Sequence, residues 1–269
     1  MSPHTAPVKL PSDAPARPAA HRTIVALILR EMSTTYGRTP GGYLWAIAEP
    51  VAALMVLSIG FSLVLRTPPI GNSFLLFYAS GYLPFSLYVT IQNTVSRSIN
   101  FSRPLLRYPA VSWMDALLAR FLLNGITNLT VAIIVFVGVL AVQDTGISLQ
   151  MGTLALSFFM AAMIGLGAAT INCVLFGLYP LWEMIWGIIS RPLLIASGIL
   201  YLVDDLPQLA QDILWFNPLV HVTSVARDAV YGLNHSDYVS LPYVFGLSFG
   251  GLTLGLLFLR RFYREILNA

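Results

Sequence analysis

The stretch TGISLQMGTLALSFFMAAMIGLGAATINCVLFGLYPLW, residues 145–182, contains no Asp, Glu, Lys or Arg. It exceeds the roughly 20 apolar residues that carry a helix across a hydrocarbon core. Three further charge-free stretches share this property: Thr67 to Ser96, Phe121 to Gln143 and Tyr238 to Leu259. The 269-residue chain is 57% hydrophobic and 10% charged, whereas a soluble domain carries about 25% charge. A soluble core cannot absorb so much apolar surface, but a bilayer can. The expected fold class is therefore an all-α polytopic membrane protein.

Working outward from these stretches, six transmembrane spans are expected, at 44–65, 74–96, 117–142, 152–176, 181–202 and 241–259. Together they make a transmembrane domain over 41–269. Ahead of it, residues 1–20 are rich in Pro and Ala and are expected to form a disordered cytoplasmic tail, not a signal peptide. Residues 21–40 are expected to form an amphipathic helix on the membrane surface. There Ile24, Leu27 and Ile28 recur at helical spacing among Arg30, Glu31 and Arg38. Thr39-Pro40-Gly41-Gly42 ends it.

Charge sets the orientation. Lys9, Arg17, Arg22, Arg30, Arg38, Arg97, Arg103, Arg107, Arg120, Arg260, Arg261 and Arg264 fall on one side of the six spans. Arg66 and Arg227 fall on the other, among aspartates. The positive-inside rule places both termini in the cytoplasm. Because the basic residues flank spans and form no single patch, no nucleic-acid partner is expected. Cys173 is the one cysteine, which allows neither an intrachain disulfide nor a thiolate metal site.

The outward segment 203–240 holds Leu206, Leu209, Ile213 and Leu214, then Val222, Val225 and Val230, divided by Asn217-Pro218. Two readings fit: short amphipathic helices that dip back toward the membrane, or a surface loop with two helical turns.

Several chemistries have no residues to carry them. A phosphate-binding loop needs a Lys after its glycines, and the single lysine is Lys9, in the tail. His4, His21, His221 and His235 are scattered outside the spans, with no metal cluster or Ser-His-Asp set in view. No catalytic residue and no bound cofactor are expected. Glu49, Asp115 and Glu183 lie near span ends, and Arg191 is the ionisable residue well inside one. Such a cation either pairs with a carbonyl or Glu183, or faces a polar lumen that receives an anionic substrate. Aromatic residues cluster at span ends, and most suit an interfacial belt. The candidates for a substrate conduit are Tyr43, Trp45, Tyr82, Phe85, Tyr88, Trp182, Trp186 and Tyr201, together with Arg191.

Three groups of residues carry a resemblance. The first is Leu29-Arg30-Glu31-Met32, Tyr36-Gly37-Arg38, Gly42-Tyr43-Leu44-Trp45-Ala46 and Glu49-Pro50. The second is Pro104-Leu105-Leu106-Arg107-Tyr108-Pro109 with Asp115-Ala116-Leu117-Leu118-Ala119-Arg120. The third is Ser197-Gly198-Ile199-Leu200-Tyr201, then Asn217-Pro218-Leu219-Val220-His221 and Arg227. Nearly the whole chain after the tail resembles the membrane subunits of ABC-2-type polysaccharide exporters, the type V exporter fold, with the capsular (Kps-type) branch nearest.

The resemblance implies short re-entrant outward-facing helices between spans five and six. It implies a homodimer bound to two copies of a separate ATPase, which would supply ATP and Mg. The residues that would couple to that ATPase are Arg30, Glu31, Arg38, Arg97, Arg103, Leu106, Arg107 and Tyr108. It further implies an anionic lipid-linked polysaccharide substrate, a bacterial inner-membrane location, and periplasmic co-polymerase and outer-membrane export partners. O-antigen or teichoic acid exporters are the neighbouring possibilities. A membrane-embedded glycolipid transferase would need clustered acid-base or metal-binding residues, which the chain does not display.

Overall fold

The computed structural model of the chain describes residues 20–35, 42–107, 111–142, 149–232 and 238–268. Among these, every regular element is helical: α1 (Ala20–Thr35), α2 (Tyr43–Ser62), α3 (Phe74–Ser96), α4 (Ser98–Leu106), α5 (Trp113–Val142), α6 (Met151–Leu178), α7 (Pro180–Ser190), α8 (Leu193–Ala196), α9 (Gln208–Trp215), α10 (Pro218–Tyr231) and α11 (Leu241–Asn268). Five are long and apolar enough to cross a membrane: α2, α3 with its continuation α4, α5, α6 and α11. The chain is a multi-pass membrane protein. The expectations for the tail, for Arg38 and the break at 39–41, and for Tyr108 fall on residues outside the described set.

The core sits around α6, which packs on α3, α10 and α11. The α6–α11 seam is built from small residues, as close helix packing in a membrane requires. A Cβ added to Gly167 would stand 2.6 Å from the Ser248 carbonyl oxygen, and one at Gly255 would strike Thr170. The outward surfaces remain apolar. Met55, Val56 and Ile59 of α2, and Leu181, Met184 and Ile188 of α7, are all exposed by half or more.

The structure departs from expectation most at 181–202. That segment is not one helix. α7 ends at Ser190, α8 is a single turn, and Gly198 then takes a left-handed φ of 68°. Pro192 explains the first break, because it has no N–H to donate and its ring crowds the carbonyl of the preceding turn; Arg191 itself keeps helical dihedrals. Gly198 explains the second, since a side chain there would be strained and would meet Val203 at 3.2 Å. The segment nevertheless passes from one end of the bundle to the other. Glu183 meets Arg97 beside α4, while Thr223 of α10 donates to the Ser197 carbonyl at 2.8 Å.

Between α8 and α11 the described residues form a short 3-10 turn (Val203–Asp205) and two α-helices, divided where Asn217-Pro218 suggested. Asn217 Oδ1 accepts from Leu219 N at 3.1 Å, capping α10, and Pro218 occupies the first turn. The same side chain donates through Nδ2 to the Ala196 carbonyl at 2.9 Å. One amide thus starts α10 and ties it to the end of α8. α10 is buried almost throughout, against α3 and α6.

Candidate functional site

At one end of the bundle α4 is a short amphipathic helix that other helices hold from several sides. Ser98, Ile99 and Ser102 are buried, while Arg97, Asn100, Phe101, Pro104 and Arg107 are exposed. This three-and-four spacing gives α4 one embedded face and one face turned outward. Leu106 packs against the core.

Four helices, α1, α5, α7 and α11, are each joined to α4 or to the residue before it. Arg97, at the α3–α4 junction, donates through Nε to Glu183 Oε1 of α7 at 2.7 Å. Arg103 Nη2 donates to the Ile266 carbonyl of α11 at 3.1 Å. Two guanidinium groups lie over the Phe101 ring, with Arg120 of α5 at 4.0 Å and Arg30 of α1 at 5.6 Å from the centroid.

The α1 contact is anchored by a buried ion pair. Thr23, Leu27 and Glu31 form the buried stripe of α1, one turn apart, and face α5. Arg120 Nε lies 3.0 Å from Glu31 Oε1, and its Nη1 donates to the Thr94 carbonyl of α3 at 2.7 Å. Of the sequence-predicted coupling residues, Arg30, Glu31, Arg97, Arg103, Leu106 and Arg107 therefore gather at this end. Arg38 and Tyr108 lie outside the described residues. Sequence reasoning missed Phe101 and the pairing roles of Arg120 and Glu183. Their partners lie far away in the chain.

The conduit candidates do not form one lining. The Tyr43 side chain lies outside the described set, and Trp45 is 63% exposed. Tyr82 is half-buried, and Phe85 and Tyr88 are each 5% exposed. Arg191 is exposed at the α7–α8 break, and Glu183 is taken by Arg97 instead. The Tyr201 hydroxyl donates to the Ile195 carbonyl at 3.0 Å. Tyr88, Trp182 and Trp186 meet in a cavity of about 510 Å³ between α3, α6, α7 and α11. There Trp182 Nε1 donates to Asn172 Oδ1 at 2.9 Å, and the two indole rings are 6.4 Å apart.

At the opposite end lies a charge that sequence reasoning placed on the outward surface. Arg227 of α10 is 4% exposed. Its Nη1 and Nη2 donate to the carbonyls of Tyr201 and Ile199 at 2.8 and 2.9 Å, and its guanidinium carbon lies 4.3 Å from the Phe77 centroid. One side chain thus holds the turn after Gly198 against α3 and α10. The available signal was helical spacing: Val220 and Val230, seven before and three after, put Arg227 on an apolar face. Nearby, the Tyr238 hydroxyl bonds Ser224, and burial raises the phenol above its ordinary range, so it stays neutral.

Among the described residues neither end offers a nucleophile with an oriented base. Among the described residues no group of three or more His, Cys, Asp or Glu is placed to hold a metal. The arrangement is mechanical: an exposed helix at one end, tied to helices that run through the bundle.

Residues 22–231 match the family model described as ABC-2 type transporter. The chain is 30% identical over 234 residues to the polysialic acid transport protein KpsM of Escherichia coli, covering 87% of this chain and 91% of that relative. It is 27% identical to the capsule polysaccharide export inner-membrane protein BexB of Haemophilus influenzae, over 91% of this chain and 92% of the relative. It is 25% identical to the protein of the same description, CtrC, of Neisseria meningitidis, with the same coverage.

Proposed function

Because the chain belongs to the ABC-2 type transporter family, we propose that it is the membrane subunit of an ATP-driven exporter of lipid-linked capsular polysaccharide across a bacterial inner membrane. The observation that carries this reading is the set of ties around α4. A force on its exposed face passes through Arg97 to α7, through Arg103 to α11, and through Phe101 and Arg120 to α1 and α5. Such a helix suits an input from outside the bundle.

That input is a separate ATPase, which binds ATP and Mg and performs the hydrolysis. This chain's only lysine is Lys9, so it has no phosphate-binding loop. Two copies of the chain and two of the ATPase form the complex, related by a two-fold axis. The ATPase docks on Arg97, Phe101, Pro104 and Arg107. The broken pair α7–α8 supplies the sixth crossing, which puts both termini with α4 in the cytoplasm, as the cationic bias favours. On this reading α9 and α10 are the re-entrant outward helices. The conduit runs between the two copies, and Trp45 and Arg191 are the candidates with the most open surface to face an anionic polymer. Periplasmic co-polymerase and outer-membrane export proteins continue the path.

The test is deletion of the chain from its host, with surface polysaccharide as the readout. Capsule should disappear and return with the wild-type chain, and an ATPase should co-purify and turn over ATP in the complex. Surface polysaccharide that persists without the chain, or a chain that brings down no ATPase, overturns the proposal.

A further inference from the structure

An imidazole joins two helices at the end of the bundle opposite α4. α9 ends at Trp215, and α11 begins at Leu241. His221 of α10 stands between them and is fully buried. Its Nδ1 accepts from the Ser240 amide at 3.4 Å, so that nitrogen carries no proton. The proton is therefore on Nε2, which donates to the Trp215 carbonyl at 3.0 Å. Ser240 in turn caps α11, its hydroxyl accepting from Tyr243 N at 3.4 Å. One neutral ring thus ties the last residue of α9 to the cap of α11.

Aromatic rings enclose this imidazole. Trp215 and Tyr243 stand edge-on to it, with centroids 5.5 and 5.6 Å away, and Tyr238 lies at 6.4 Å. The same rings tie the two helices directly. Trp215 Nε1 donates to the Tyr238 carbonyl at 2.9 Å, and the Tyr243 hydroxyl donates to the Phe216 carbonyl at 2.7 Å. α9 has little else to hold it. None of its residues is buried, and Gln211 reaches only the Asp204 and Leu206 carbonyls, in the turn just before it.

Only the neutral ring can make both bonds. An imidazolium carries an N–H on each nitrogen, so its Nδ1–H would confront the Ser240 N–H. It would also be a charge without a facing carboxylate. α3 and α6, on which α10 packs, carry no Asp, Glu, Lys or Arg along 74–96 and 151–178. The first charge of α11 is Arg260. Asp212 of α9 is exposed, and Asp228 lies about two turns along α10 from the ring. Arg227 is turned to the Ile199 and Tyr201 carbonyls. His235 and Asp237 fall outside the described residues. The titratable groups that face the ring are the phenols of Tyr238 and Tyr243. Burial accordingly holds the imidazole below its ordinary range, with the Trp215 carbonyl as a smaller opposing effect. A ring kept neutral by the fold stabilises it fully above that ordinary range. The contribution is lost as pH falls through the lowered value.

We propose that His221 is an acid-operated latch: the neutral ring clamps α9 to the start of α11, and protonation of that ring releases α9. The latch does not depend on what the chain exports.

The test is hydrogen exchange of the full-length chain in detergent, read by mass spectrometry from about pH 7.5 down to about pH 4.5, with each rate divided by the intrinsic rate at that pH. Protection of 208–217 and 238–245 should fall by about two- to tenfold on acidification, the worth of one net hydrogen bond, while α6 stays protected. His221→Gln keeps a donor and an acceptor in a side chain that does not titrate, so its protection should not change with pH. Wild-type protection that is independent of pH in both segments overturns the proposal without recourse to any variant. So does an equal loss over α6, which would show general acid unfolding. An acid response in His221→Gln equal to that of the wild type would assign the effect to other groups, and would also overturn the latch.

Discussion

Glu31 and Arg120 form an ion pair across 89 residues of sequence, with side chains only 10% and 9% exposed. The Arg120 guanidinium makes three contacts here. It meets the carboxylate, donates to the Thr94 carbonyl and covers the Phe101 ring. Breaking a buried pair from one side leaves the other charge uncompensated, at a cost of about 3–5 kcal/mol. Glu31→Ala should therefore lower the thermal midpoint of the purified chain sharply. A double change, Glu31→Leu with Arg120→Met, should recover most of the loss, because well-packed apolar replacements of a buried pair are often close to neutral. A single variant as stable as wild type would mean that α1 is not held by this pair.

The Arg97–Glu183 pair is of a different kind. Its side chains are 50% and 40% exposed, and such pairs contribute about 0–1 kcal/mol. Its importance lies in joining the α3–α4 junction to α7. Arg97→Glu should leave the thermal midpoint nearly unchanged and reduce surface polysaccharide, and the added Glu183→Arg should restore part of it. Export that is unaffected by the single reversal would remove this contact from the transmission path.

These two pairs also mark the limit of what the sequence displays. Charge-free runs located α3 at its observed bounds and α5, α6 and α11 closely, while α2, which contains Glu49, was placed by its apolar length alone. A span is a local property, and hydropathy sums it well. The ends differ where hydropathy has no grip: α11 continues past Leu259 to Asn268 as an amphipathic helix, through Arg260, Arg261 and Arg264. The break at Arg191-Pro192 was visible in the residues, but the apolar run on both sides outweighed it in the span reading. Burial of Arg227 had only the helical spacing of Val220 and Val230 as its signal. An arginine in a polar-looking outward segment reads as solvated until α10 is seen between α3 and α6. Glu31 and Arg120 meet only because α1 folds back along α5.

Arg227 yields a geometric prediction. Its two terminal nitrogens reach two different carbonyls, and the plane of the group lies over Phe77. Lysine keeps the charge but loses the fork and the stacking. Arg227→Lys should cost about 1–3 kcal/mol. It should also speed proteolysis within 199–206, the turn that Arg227 holds. Equal protease resistance in the two proteins would show that the turn is held by other contacts.

Gly198 tests the same turn from the other side. At φ 68° an alanine is strained by roughly 1–2 kcal/mol, and its Cβ meets Val203 at 3.2 Å. Gly198→Ala should lower the thermal midpoint, and adding Val203→Ala should return only the steric share. Gly232, also at positive φ, ends α10 with no atom of the described residues near its missing Cβ. Gly232→Ala should therefore cost the conformational share alone. Comparing the two glycines separates backbone strain from crowding.

Arg191 closes the set because its effect should fall on transport and not on stability. It is exposed at the break between α7 and α8, so removing its charge leaves no buried partner behind. Arg191→Ala should leave the thermal midpoint within about 0.5 kcal/mol of wild type. If an anionic polymer passes this position between two copies of the chain, as proposed, the variant should lower surface capsule several-fold, because that path would lose two cations. Arg191→Lys should keep most of the export, since a point charge suffices to attract a moving polymer where no fixed fork is needed. Export that falls equally in the alanine and lysine variants would point to a shape requirement at the break. Export unchanged in both would take Arg191 out of the conduit.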